Sequence, residues 1–118
     1  MLERNHSQIL NSNCSEESLL ILTEISSDSQ LTQREIAQKI GISLGKTNYL
    51  IRELTRKDLV KIKNFPYKNH KLSRISYVLT PKGLKEKAEL TLHFLKRKQQ
   101  EYESLKREWE HLEETVSK

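Results

Sequence analysis

Residues 32–54 read TQREIAQKIGISLGKTNYLIREL, and two short helices joined by a tight turn account for every position in them. Thr32 and Glu35 have the spacing of a capping box, in which each side chain satisfies a backbone N–H of the other residue. Ile36, Ala37 and Ile40 give the first helix one apolar face. Gly41 supplies the permissive backbone that a sharp turn needs, Ile42 plugs the corner, and Ser43 is a strong N-cap for the next helix. On that second helix Thr47, Leu50, Ile51 and Leu54 fall on one side. Gly45, Lys46, Asn48, Tyr49 and Arg52 are left facing outward.

Small Ala37 suits a close helix crossing, and Gly41 comes one turn after it. The pattern is a helix-turn-helix, whose second helix is shaped to enter a DNA major groove. Lysine and arginine contact guanine edges or phosphates, and asparagine pairs bidentately with adenine. The competing reading is a helical hairpin whose outward residues are simply solvated. Charge weighs against it. Residues 46–74 hold nine basic side chains (Lys46, Arg52, Arg56, Lys57, Lys61, Lys63, Lys68, Lys71, Arg74) against Glu53 and Asp58, a net +7. Residues 1–45 are net −3 and the whole 118-residue chain is +5. Positive charge is therefore concentrated on the second helix and the segment directly after it, as a polyanion partner requires.

That segment begins with LVKIKNF (59–65), in which Val60 and Ile62 alternate with Lys61 and Lys63. The polar turn PYKNHKLS and a second β-branched run, RISYVLT (74–80), complete it. Two such runs around a turn predict a hairpin. Behind a recognition helix a hairpin is a wing, and its tip (Lys68, Asn69, His70, Lys71) reaches phosphates or a minor groove. The alternative is a loop tip carrying lysines for solubility. His70 has no cysteine, histidine or carboxylate at chelating spacing, so no metal site is expected.

Upstream, Ser15 before Glu16 and Glu17 marks a helix start, and Leu19, Leu22 and Ile25, widened by Leu20 and Ile21, make it a core helix. Leu31 is positioned for a very short strand. Residues 1–14 form an N-terminal arm, and whether they fold as a short helix stays open. The single cysteine, Cys14, allows no internal disulfide and fits a reducing compartment. The LLIL run at 19–22 is too short to span a bilayer, and no signal pattern opens the chain. A cytoplasmic location is expected.

Thr80-Pro81 starts a further helix, an N-cap followed by proline at the first helical position. Beyond it Leu84, Ala88, Thr91, Leu95, Lys98, Tyr102, Leu105, Trp109, Leu112 and Val116 recur alternately at four and three residues. That is a heptad seam, which predicts a dimerising coiled coil. Thr91 and Lys98 are polar seam positions suited to fixing register. Leu90, Leu92 and Phe94 broaden the apolar face of the first half, which is expected to pack on the preceding domain, over its first helix. The competing arrangement folds the helix back on its own domain as a monomer. Coiled-coil orientation stays open. The domain organisation is an arm (1–14), a winged helix-turn-helix (15–80) and a C-terminal dimerisation helix (81–118), within a mainly α (α+β) fold.

With this order in view, the chain resembles the MarR-type winged-helix transcriptional regulators from about Glu17 to Val116. RKDLVKI (56–62) and YVLTPKG (77–83) carry the likeness. ISLGKTNYLIREL, KNF and LTPKGLKEKAELTLHFLKRKQQEYESLK are closer still to the exopolysaccharide-associated subgroup. The resemblance implies sequence-specific binding of double-stranded DNA by a homodimer, in the regulation of a surface-polysaccharide gene cluster. By position, Ser43, Gly45, Lys46, Asn48, Tyr49 and Arg52 correspond to the groove-facing helix and Lys68 to Arg74 to the wing. With Thr32, Gln33 and Lys63 these form the candidate DNA-contacting set. Two departures stand out: HKLSR lacks the acid that the broad family often carries in its wing, and Asp58 replaces a usual glycine. The chain also lacks the helices that build the ligand pocket of larger members, which argues against a small-molecule effector. No glycine-rich phosphate loop, paired metal ligands or nucleophile with a base is present, so neither enzymatic activity nor a cofactor is expected. A protein-interaction module, with Tyr102 and Trp109 anchoring a foreign helix, is the alternative function.

Overall fold

The computed structural model describes the backbone of residues 12–66 and 73–117, with side chains from 15–63 and 75–117. Its elements run α1 (Ser12–Ser27), α2 (Gln33–Ile40), α3 (Leu44–Arg56), β1 (Val60–Pro66), β2 (Ser73–Leu79) and α4 (Pro81–Ser117). The order is the expected one. Helix α1 begins at Ser12, ahead of the start expected at Ser15, so its first turn holds no acid. Glu16 and Glu17 are engaged instead in ion pairs to other elements, with Lys98 and Lys46 respectively.

The turn chemistry forms as the sequence dictates. Thr32 Oγ1 accepts from the Glu35 N–H at 3.1 Å, and Glu35 Oε1 accepts from the Thr32 N–H at 2.8 Å. Gly41 ends α2 in the left-handed region (φ 76°), and Ser43 Oγ accepts from the Lys46 N–H at 3.0 Å. Helix α3 closes with Asp58 at φ 65°, while the Leu59 N–H reaches the Leu54 carbonyl and the Asp58 N–H the Thr55 carbonyl. This is a Schellman ending with an aspartate where glycine has no steric penalty. It accounts for the glycine that the resemblance leads one to expect at 58.

No strand forms at Leu31. That side chain enters the core, and the Ser29 carbonyl two residues before it accepts from the Tyr77 N–H and the Ser76 hydroxyl of β2. Strands β1 and β2 pair antiparallel, with Val60 opposite Leu79, Ile62 opposite Tyr77 and Asn64 opposite Ile75. Val60 and Tyr77 are buried, whereas Ile62 and Ile75 are about half exposed, because the hairpin projects past the core.

That core joins Ile21, Leu22 and Ile25 of α1 to Leu31, Ile36, Leu50, Ile51, Leu54, Leu59, Val60 and Tyr77. At about 1.5 Å per residue, α4 is about 55 Å long. Its start is held by Thr80, whose hydroxyl donates to the Asp58 carbonyl at 2.7 Å and accepts from the Gly83 N–H at 2.9 Å. Gly83 packs so closely that a Cβ there would lie 2.0 Å from the Leu59 carbonyl oxygen. Leu90 and Phe94 then turn inward against the domain, and Lys87 Nζ donates to Ser26 Oγ on α1 at 3.3 Å. The first half of α4 thus packs over α1, as expected. Every residue from Leu95 to Ser117 is exposed in the single chain. None of the described helices is long and apolar enough to cross a membrane.

Candidate nucleic-acid interface

Helix α3 is amphipathic in the expected sense. Thr47, Leu50, Ile51 and Leu54 are buried, and Gly45, Lys46, Asn48, Tyr49 and Arg52 are exposed on the opposite side. Burial of the four inward residues fixes the rotation of the helix, and so fixes which side chains face outward. Tyr49 is 57% exposed, which removes packing in its own core from the roles open to it. Gly45 is unlike the other two glycines. It has an ordinary helical backbone, and a Cβ there would meet nothing within 4 Å. Nothing in the fold requires glycine at 45, although the residue is a weak helix former. A bare backbone at the second residue of α3 leaves room for close approach from outside.

Some cations of the candidate set and its surroundings are already engaged. Lys46 Nζ lies 2.8 Å from Glu17 Oε1 on α1, and that carboxylate oxygen is almost wholly shielded from solvent. At the far end of α3, Arg56 Nη2 donates to Glu53 Oε1 at 2.6 Å. The Arg56 hydrogen bond holds the Glu53 carboxyl below its ordinary range, and Glu53 in turn raises Arg56. Among the described residues Arg52 makes no ion pair, and Lys61 and Lys63 project from β1 as exposed side chains.

Sequence alone places Gln33 and Asn48 in one candidate set, and the fold brings them into contact. Asn48 Nδ2 donates to Gln33 Oε1 at 3.1 Å, and Gln33 Nε2 donates to the Tyr77 hydroxyl at 3.0 Å. Periodicity marks Tyr77 only as a strand residue. Its polar tip, aimed 44 positions back along the chain, has no signature in the sequence. The hydroxyls of Thr32 and Ser43 are used as helix caps. Lys68, Asn69, His70 and Lys71 lie outside the described residues, and for Arg74 only the backbone, paired with Phe65 in the hairpin, is described.

On α4 the expected seam residues Leu84, Ala88, Leu95, Tyr102, Leu105, Trp109, Leu112 and Val116 are all exposed, together with Thr91 and Leu92. They run along one side of the helix, next to the face that Gly83, Leu90 and Phe94 turn to the domain. Lys98 is exposed like the rest of the seam, and its ammonium sits 3.1 Å from Glu16 on α1. Thr91 directs its hydroxyl to the Lys87 carbonyl within its own helix. Among the described residues no three His, Cys, Asp or Glu side chains converge as metal ligands do.

Two comparisons bear on this geometry. Residues 18–61, which span the end of α1, both turn-linked helices and the start of β1, match a family model described as winged helix-turn-helix DNA-binding. Solved structures extend the match through the wing and into α4. The fold is a winged helix-turn-helix. A PadR-like transcriptional regulator from Bacillus cereus superposes with a TM-score of 0.66 at 19% identity, over 75% of this chain and 89% of that one. A Staphylococcus aureus MepR variant bound to an oligodeoxyribonucleotide gives 0.55 at 20% identity, over 97% and 92%. S. aureus MarR in complex with salicylate and kanamycin gives 0.56 at 23% identity over 74% of this chain, which spans just over half (56%) of that protein. No curated protein matches the sequence. At these identities the winged helix-turn-helix architecture is what is held in common.

Proposed function

We propose that this chain is a sequence-specific transcriptional regulator that binds double-stranded DNA as a homodimer, with α3 in the major groove and the hairpin as a wing. One observation carries the reading: the outward face of α3 presents Lys46, Asn48, Tyr49 and Arg52 beside a glycine the fold does not need. A phosphate backbone approaching the start of α3 would use the space that Gly45 leaves, and the helix N-terminus favours anionic groups. Arg52 and Asn48 have the chemistry to read guanine and adenine edges. The winged helix-turn-helix family match, and the oligonucleotide bound to one structural neighbour, support the same class of ligand.

Dimerisation is supported by the stripe on α4. A soluble monomer rarely exposes a contiguous apolar patch of this extent, and Trp109 is 61% and Val116 81% exposed. A second copy of α4 along that stripe would set two α3 helices about a twofold axis. They would then read half-sites about 34–36 Å apart, or a multiple of that. The likeness of 42–54 and 79–106 to the exopolysaccharide-associated subgroup supports a surface-polysaccharide gene cluster as the target.

The test is selection of bound duplexes from random DNA, followed by Asn48→Ala and Arg52→Ala on the selected site. Each substitution should cost about 1–3 kcal/mol of discrimination at particular base pairs. An unchanged sequence preference in both variants would show that another face reads DNA. Mapping the selected site upstream of surface-polysaccharide genes, and nowhere else, tests the target.

A further inference from the structure

The reading helix of the winged domain is tied to the wing by one line of hydrogen bonds, from the Tyr77 hydroxyl through the Gln33 carboxamide to Asn48. We infer that Tyr77 is a positioning residue for base recognition, holding the Asn48 carboxamide through Gln33 in the orientation that pairs with an adenine edge. Such a role rests on the groove reading proposed for α3.

Bidentate recognition of adenine requires the asparagine carboxamide to lie near the plane of the base, with its oxygen and one N–H side by side. An exposed asparagine samples a broad range of χ2, so an unsupported Asn48 would have to be ordered at the moment of binding. Gln33 removes part of that cost by taking one Asn48 amide proton. The carbonyl oxygen and the second proton remain available to a base. Gln33 is itself long and flexible, and it stands at the first helical position of α2, where α3 alone would not hold it. Tyr77 supplies the fixed end. Its ring is only 5% exposed within the core cluster, and its backbone N–H is bound to the Ser29 carbonyl at 3.3 Å. The oxygen at the tip of this rigid ring accepts the Gln33 amide. Each donor meets one acceptor, and the chain of bonds starts in the core and ends on the reading face.

The arrangement also connects two DNA-facing elements. Tyr77 lies in β2, opposite Ile62 of β1, so the strands of the wing and the carboxamide on α3 share one support. A displacement of the wing strands would be transmitted to Asn48 through two hydrogen bonds.

The experiment uses the full chain and the duplex selected from random DNA, with all four base pairs placed in turn at the position that Asn48→Ala identifies. Tyr77→Phe keeps the buried ring and deletes only the oxygen. It should lower the preference for adenine at that position by roughly threefold to tenfold, the range expected for one hydrogen bond. The slope of affinity with salt should stay unchanged, because no phosphate contact is lost. In an Asn48→Ala background Tyr77→Phe should have no further effect on the preference. Gln33→Ala breaks the same link from the surface, should the core variant fail to fold. It is scored by the ratio among the four duplexes, to which any lost phosphate contact contributes equally. If Asn48→Ala abolishes the preference while Tyr77→Phe and Gln33→Ala leave it intact, the positioning role is wrong and the groove reading survives. If Asn48→Ala changes no preference while Arg52→Ala does, the positioning role alone fails, and if the wild-type chain selects no duplex, both fail together.

Discussion

The Lys46 ammonium lies 2.8 Å from Glu17 Oε1, so the first cation of α3 is held by the helix behind it. The neighbouring acid, Glu16, meets Lys98 of α4 at 3.1 Å. Adjacent carboxylates of α1 therefore brace α3 and the long helix α4 at once.

Glu17→Gln should release Lys46 toward phosphate. Duplex affinity should rise for all sequences alike, and the slope of log K against log salt should steepen by about 0.9 per freed contact. Chemical denaturation should show a loss of at most about 1 kcal/mol, since the pair is partly exposed. Anisotropy titrations at several salt concentrations decide it. An unchanged slope would mean that the pair with Glu17 does not withhold Lys46 from phosphate.

Gly45→Ala should move stability and binding in opposite directions. The new Cβ meets nothing within the chain, so the helix should gain up to about 1 kcal/mol in urea unfolding. Duplex affinity should fall, because the same methyl group occupies the approach to the start of α3. Equal or better DNA binding would remove the role given to this glycine.

Gly83→Ala should be costly for a different reason. Its Cβ would fall 2.0 Å from the Leu59 carbonyl oxygen, and the start of α4 would have to shift. A loss of about 1–3 kcal/mol is expected from such overpacking. Asp58→Gly should do the reverse and stabilise by about 1 kcal/mol, because it relieves a left-handed non-glycine backbone at φ 65°. Both are read from denaturation midpoints at constant m-value.

Leu105→Glu combined with Leu112→Glu should place charges on the exposed stripe of α4 without touching the core. The wild-type chain should sediment at twice its 13.9 kDa mass and the double variant as a monomer. A monomeric wild type would leave the stripe to a foreign helix.

How much of the fold and of the reading face is legible in the sequence depends on how local each signal is. The capping box at Thr32 and Glu35, the turn at Gly41 and the outward set on α3 follow from spacing within one or two helical turns, and all of them form. Helix α1 starts earlier than its sequence suggests, and the two acids that read as its N-terminal signal pair with distant lysines instead. Leu31 carries an apolar side chain that reads equally as strand or as core plug, and only the tertiary packing chooses between them. Lys98 falls on a heptad position, yet its ammonium finds Glu16, which periodicity along one helix cannot anticipate. The link from Tyr77 to Gln33 crosses from the hairpin to α2. It exists only because the core fixes the ring of one and the cap fixes the start of the other.

The most direct test of the central claim is titration of the purified chain with its selected duplex, and with an unrelated duplex, at about 50 and 200 mM salt. The proposed groove-and-wing binding predicts a clear preference for the selected sequence and a loss of about a thousandfold or more in affinity across that range, as six or more neutralised phosphates would give. Equal, salt-insensitive affinity for the two duplexes, or no binding even at the lower concentration, would contradict it.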